Sequence, residues 1–248
     1  VGKQSIDGRT WYFTPKGIQV VLVNKDNPIP DDWTWDTVEV EKDRPIQRIA
    51  AEPLRQMLAD CRAAGNDCYL NSAYRTHKQQ IQILELRTQE YEDKGMTHEE
   101  AYAESLKTVA LPGTSEHELG LSTDLVGKEA NEWLAVHCWE YGFILRYPAD
   151  KEDITGITNE PWHFRYVGVP HAAVMAENGL TLEEYLPFLQ QYIHGERACV
   201  YRGGGREIAL SYIPAREDGT TRIEVDSEKP YALSGDNVGG FILTEWRG

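Results

Sequence analysis

The chain has 248 residues, with 40 Asp and Glu against 25 Lys and Arg, a formal net charge of −15. That balance excludes binding driven by nucleic-acid backbones, because such affinity rests on Lys and Arg neutralising phosphates, and it disfavours adhesion to an anionic membrane. A hydrophobic fraction of 41% with 10% aromatics describes a globular chain with a real core, and no apolar run approaches the roughly 20 residues that cross a bilayer.

In chain order, residues 1–19 are polar and turn-rich, as in Ile6-Asp-Gly8 and Thr14-Pro-Lys-Gly17. Residues 19–24 predict a buried strand and 27–33 a loop. Over 44–64, Ile46, Ile49, Ala50, Leu54, Met57, Leu58 and Cys61 recur three and four apart, which predicts a helix. Pro53 inside it marks a kink or a first turn. Gly65-Asn-Asp67 stops that helix, and 68–74 predicts a strand. Residues 77–94 form a polar-faced helix ending at Gly95. Thr97 and Glu100 make a capping box for the next helix, each side chain satisfying a free backbone N–H. After a loop at 112–115 come a strand at 119–126, a helix at 131–141 closed by Gly142, and strands at 143–147 and 162–167. Thr181 and Glu184 cap a last helix reaching about Tyr192. From Arg197 the periodicity drops to two, with strands at 198–202, 207–213, 221–225 and 241–246. This divides the chain into a main domain, 1–194, and a β-rich C-terminal extension, 195–248, packed on it.

Residue 1 is Val and no charged-then-apolar leader follows it. The expectation is a trimmed product, so the missing targeting segment does not argue for the cytoplasm. Cys61, Cys68, Cys138 and Cys199 fit no zinc-finger spacing. Cys61 and Cys68 flank one turn and read equally as a local disulfide or as two buried thiols; export favours the bridge.

Three segments carry the chemistry: Ser115-Glu-His117-Glu-Leu-Gly120-Leu-Ser-Thr-Asp124, Glu160-Pro-Trp-His163-Phe-Arg-Tyr-Val-Gly168, and Ser72-Ala-Tyr-Arg75 followed by Gln80. His117, Asp124 and His163 offer two imidazoles and a carboxylate, a donor set for zinc that leaves one position open for water. Gly120 lets the backbone bend so that His117 and Asp124 reach one point. Glu160, three residues before His163, stands near the metal without having to bind it, placed to take a proton from water. The other histidines read blandly: His77 and His98 as solvated, His137 as structural, His171 and His194 as non-ligands. Ser115 is no nucleophile elbow, since Gly-x-Ser-x-Gly is absent. Trp11, Trp33 and Trp35 read as core.

The combination Ser-x-His-x-x-Gly-x-x-x-Asp at 115–124 with Glu-Pro-Trp-His at 160–163 resembles the VanY-type D-alanyl-D-alanine carboxypeptidases, within the metallopeptidase group named for lysostaphin, D-Ala-D-Ala peptidases and hedgehog. The resemblance covers about residues 20–191 and leaves the tail after about Gly195 outside. It implies an α+β fold, a small central antiparallel sheet flanked by helices. It implies zinc on His117, Asp124 and His163, Glu160 as catalytic acid/base, Arg75 steadying the scissile carbonyl oxygen, and Gln80, Ser115 and Trp162 contacting the terminal D-alanine. The implied activity is zinc-dependent removal of that D-alanine from peptidoglycan stem peptides at the bacterial cell envelope, outside the cytoplasm. This would remove the terminus that glycopeptide antibiotics grip. Ser122 departs from the family's usual Ala. The alternatives are an L,D-carboxypeptidase acting on tetrapeptides, a zinc endopeptidase, and a non-catalytic wall-binding module of the kind hedgehog exemplifies.

Overall fold

The structure, a computed structural model, describes residues 2–7, 19–31, 33–226 and 228–247. In chain order its elements are β1 (Gly2–Asp7), β2 (Thr37–Glu41), β3 (Arg44–Gln47), α1 (Arg48–Ala63), β4 (Tyr69–Ser72), α2 (His77–Glu92), α3 (His98–Ser105), α4 (Glu116–Leu119), β5 (Ser122–Val126) and α5 (Lys128–His137). There follow β6 (Phe143–Tyr147), α6 (Glu152–Thr155), β7 (Glu160–Tyr166), α7 (Val169–Asn178), α8 (Leu182–Leu189), β8 (Cys199–Gly203), β9 (Arg206–Pro214), β10 (Thr220–Val225), β11 (Tyr231–Gly235) and β12 (Gly240–Trp246). The class is α+β with antiparallel sheets. The chain forms two compact units, Val23–Tyr166 and, together, Val1–Leu22 with Val167–Gly248. That boundary precedes the change of sequence texture at 194/195, because α7 packs on β8 and α8 on β9.

In the unit Val23–Tyr166, four antiparallel strands run in the order β4-β5-β7-β6. α1 buries Ala50, Leu54, Met57, Leu58 and Cys61, the stripe that its spacing predicts. The helix starts at Arg48 rather than residue 44, because Pro45 disfavours helical backbone before it and residues 44–47 pair with β2 instead. Pro53 falls in the second turn, and the helix continues to Ala63. Both expected helix starts at Thr97 and Thr181 carry their capping boxes, and Thr76 makes a third with Gln79 at the head of α2. The expected strand at 119–126 begins only at Ser122, since 116–119 forms the single turn α4, closed by Gly120 at φ 72°. α5 begins at Lys128 and tightens into a 3-10 turn at Cys138–Tyr141 before Gly142.

The other unit holds the sheet β11-β12-β9-β8 and the pair β1-β10. Ile213, Ile223, Val225, Leu233, Phe241 and Leu243 form its core cluster. The four tail strands are present, with β11 as a fifth. Residues 2–7, expected to be turn-rich, pair with β10 some 220 positions away, Gly2 opposite Val225. Residues 19–22 join no ladder: Val20 N–H donates to Ser234 Oγ at 3.0 Å and Leu22 N–H to the Asp236 carbonyl at 2.9 Å. Trp11 and the turn at 14–17 lie outside the described residues. Trp33 is buried, whereas Trp35 is half exposed. Among the described residues the cysteines are free, and Cys61 and Cys68 are both buried.

Candidate functional site

β5 and β7 place the metal-binding candidates by register. Asp124 on β5 is the direct cross-strand partner of His163 on β7 and, on its other side, of Ser72 on β4. His117 comes from α4, and the left-handed Gly120 turns the chain from that helix towards β5. A β-carbon at 120 would meet Gln47 Cγ at 3.3 Å and Tyr74 Cδ2 at 3.5 Å. The result is a tight group: Asp124 Oδ1 stands 3.2 Å from His117 Nε2 and 3.2 Å from His163 Nδ1. One donor atom from each of the three residues lies within 4.8 Å of the others.

This group fits a metal ion. All three residues are buried, and Asp124 Oδ1 finds no hydrogen-bond partner among the described residues. An orphaned, buried carboxylate oxygen between two imidazole nitrogens is costly unless a cation satisfies it. His117 Nδ1 must donate to the Ala73 carbonyl, 2.7 Å away, which turns the Nε2 lone pair towards the centre. Burial opposes the charge on Asp124, yet His117 and His163 hold its carboxyl well below the usual range. Burial lowers the pKa of His117. It also opposes the proton on His163, but the facing carboxylates of Asp124 and Glu116 outweigh it.

A second layer fixes His163. Its Nε2 faces Glu116 Oε2 at 3.5 Å, while Glu116 Oε1 accepts from Arg146 Nε and Arg165 Nη1, both at 2.8 Å. All three of these charged side chains are fully buried. A carboxylate behind a metal-binding imidazole sets the ring's orientation and basicity. Sequence reading missed Glu116, Arg146 and Arg165. One signal was present: Arg165 is two residues beyond His163, hence on the same strand face.

Glu160 and His163 are three apart on one strand, which in a regular strand puts them on opposite faces. β7 is irregular there: from Phe164 to Glu160 it spends four residues against the two from Leu145 to Tyr147 on β6. Pro161 sits in this stretch, where its missing N–H costs no ladder bond. The bulge brings Glu160 Oε2 to 3.6 Å from His163 Nδ1. Burial pushes the Glu160 carboxyl up to about 7. Arg75 donates through Nη2 to Asp124 Oδ2 at 2.7 Å and through Nε to Ser72 Oγ at 3.0 Å. Gln80 is buried, its amide donating to the Ala110 carbonyl at 2.8 Å. Ser115 is buried at the N-cap of α4 without a capping bond, and Trp162 is 40% exposed. All eight expected site residues line one cleft of about 350 Å³.

The other histidines lie elsewhere. His77 is exposed yet paired with the buried Glu118, Nδ1 to Oε1 at 2.7 Å, rather than merely solvated. His98 pairs with Glu92 and His137 with Glu140. His171 is locked between Tyr185 and Thr244, and His194 bonds the Glu224 carbonyl.

The family profile described as D-alanyl-D-alanine carboxypeptidase (VanY) matches residues 43–169. A D-alanyl-D-alanine carboxypeptidase of Enterococcus faecalis is 40% identical over 174 residues, 67% of this chain and 65% of that protein, so this chain spans just under two thirds of that relative's length. The crystal structure of the vancomycin-resistance D,D-dipeptidase VanXYg, in complex with a D-Ala-D-Ala phosphinate analogue, superposes with a TM-score of 0.85 at 31% identity and covers 99% of both chains. That likeness runs through the C-terminal strands, which the sequence motifs leave outside. The vancomycin-resistance D,D-pentapeptidase VanY from a VanB-type cassette, in complex with Zn(II), gives a TM-score of 0.66 at 39% identity, over 68% of this chain and 98% of that one. Motifs, sheet register and these similarities converge: the chain belongs to the VanY family of D-alanyl-D-alanine carboxypeptidases.

Proposed function

We propose that the chain is a zinc D,D-carboxypeptidase that removes the C-terminal D-alanine from peptidoglycan stem peptides or their precursors, acting outside the cytoplasm where that polymer lies. The observation that carries this reading is the orphaned Asp124 Oδ1 between two imidazole nitrogens, with Glu160 beside them. His117, Asp124 and His163 would hold the zinc. Zinc, when bound, supplies Lewis acidity towards a peptide carbonyl and makes hydroxide available near neutral pH.

The chain's own residues do the rest. Glu160, with its pKa near 7, accepts the proton of the attacking water on a carboxylate oxygen and returns it to the leaving amine nitrogen. Arg75, itself largely buried, supplies positive charge where the carbonyl oxygen becomes negative. Gln80 and Ser115 are held in place on the cleft wall, and Trp162 offers an apolar face to the D-alanine side chain. Tyr147, whose ring centre is 5.0 Å from that of His163, packs against the site.

The test is release of free D-alanine from a defined pentapeptide by the zinc-loaded protein, abolished by a chelator and restored by zinc. Glu160→Gln should lower kcat by about 10²–10⁴-fold, the usual weight of a general base, while zinc still binds stoichiometrically. Near-normal turnover by Glu160→Ala would sink the assignment. Tetrapeptide in the same assay separates D,D- from L,D-cleavage. Free D-Ala-D-Ala belongs beside them, since the likeness along the whole chain is to a D,D-dipeptidase.

A further inference from the structure

We propose that Arg87 is a substrate-binding residue that grips the terminal carboxylate of the peptide and so restricts the cleft to chain ends; this rests on the carboxypeptidase reading above. Gln80, Ile83, Arg87 and Tyr91 line the cleft from α2. Their spacing of three, four and four makes one helical stripe. The wall that carries Gln80 at the reacting end therefore carries a guanidinium about two turns further along.

Two arginines line the cleft among the described residues, and they differ in what they are free to do. Arg75 is committed to Asp124 and Ser72, with Nη1 also 3.5 Å from Gln80 Oε1. Arg87 has its side chain 44% exposed, and Nη1 meets Glu90 Oε2 at 2.9 Å one turn on. Exposed pairs of that kind are weak and readily exchanged. An arginine fork matches a carboxylate in two parallel hydrogen bonds, so a substrate carboxylate is a better partner than a solvated Glu90.

The cleft needs such a partner. Asp124 and Glu160 line it, with Glu116 already matched by two arginines, and the whole chain carries −15. With zinc offsetting Asp124 and Glu160 at the reacting end, the carboxylate of an arriving chain end still requires a partner of its own, and Arg87 is the exposed cation on the cleft wall. Arg87 and Glu160 line the same cleft. A carboxylate held by Arg87 would fix the register of the peptide, so that the last amide, rather than an internal one, meets Glu160.

The experiment compares the D-Ala-D-Ala-ended pentapeptide with the same peptide as its C-terminal amide, using zinc-loaded wild type, Arg87→Met and Arg87→Lys. The wild type should favour the acid by tenfold or more in kcat/KM. Arg87→Met should raise KM for the acid and bring the acid-to-amide ratio towards one, and Arg87→Lys should recover part of that ratio. An unchanged ratio in Arg87→Met, with circular dichroism and zinc content as in the wild type, overturns the proposal. A wild type that releases no D-alanine from the acid peptide overturns the carboxypeptidase reading itself, a distinct outcome.

Discussion

Glu116 has no part in the proposed proton transfers, yet the cleft leans on it. Its Oε1 serves two fully buried guanidinium groups and its Oε2 faces His163. Removing one partner of a buried charge cluster leaves the others uncompensated, which commonly costs about 3–5 kcal/mol. Glu116→Gln should therefore lower the midpoint of urea unfolding by a corresponding amount. It should also weaken zinc binding about 10–100-fold in a chelator competition, as loss of a carboxylate behind a ligand histidine does. A variant with wild-type zinc affinity would show that His163 is oriented by other means. The proposed ligand triad and Glu160, which the structure brings into one cleft, stood out because they sit in two short segments whose spacing is itself chemical. Glu116 was in plain view between Ser115 and His117, but its role depends on Arg146 and Arg165, 30 and 49 positions away. No local pattern announces that meeting.

At the scale of elements, two small irregularities assemble the site. One is Gly120, whose left-handed backbone joins α4 to β5. Gly120→Ala would force a side chain into φ 72° and against Gln47. The expected cost is about 1–2 kcal/mol of stability, together with weaker zinc binding as His117 shifts from Asp124; thermal melts with and without zinc would check both. The other is the bulge in β7, which undoes the alternation that separates Glu160 from His163. The elements themselves were largely readable. Apolar spacing marked α1, capping residues marked α3 and α8, and alternation marked the strands of the tail. What escaped were segments whose structure comes from distant partners. β1 exists only opposite β10, and β3 takes four residues from an apparent helix because Pro45 and β2 claim them. β11 was missed because both of its faces are buried, Ala232 and Ser234 on one and Leu233 on the other, so no apolar–polar alternation marks it.

For the molecule as a whole, charge and buried histidine set the response to conditions. A chain of net −15 repels an anionic peptide at long range, and salt screens that repulsion. The second-order rate constant kcat/KM should therefore rise as ionic strength goes from about 10 to 150 mM; a steep fall would mean that local cations dominate capture. Acid should act through His171. Burial holds its folded pKa down at about 3, against an ordinary 6.5. Between those values the unfolded chain takes up the proton and the folded chain does not. The contribution to stability is complete above pH 6.5 and is lost as pH falls towards 3, by up to about 1.4 kcal/mol per pH unit. Urea unfolding at pH 7.5, 6 and 5 should show this slope in the wild type and a flatter one in His171→Gln.

The pairing of Asp124 with His163 has a consequence for how the chain acquires its metal. A slip of one residue between β5 and β7 would point His163 away from Asp124, since successive side chains face opposite ways. Metal capture is thus a readout of strand alignment. During refolding, zinc uptake should therefore trail the zipping of β5 onto β7, and misaligned chains, without His163 beside Asp124, should bind zinc weakly; stopped-flow zinc uptake against the recovery of sheet signal would check the order.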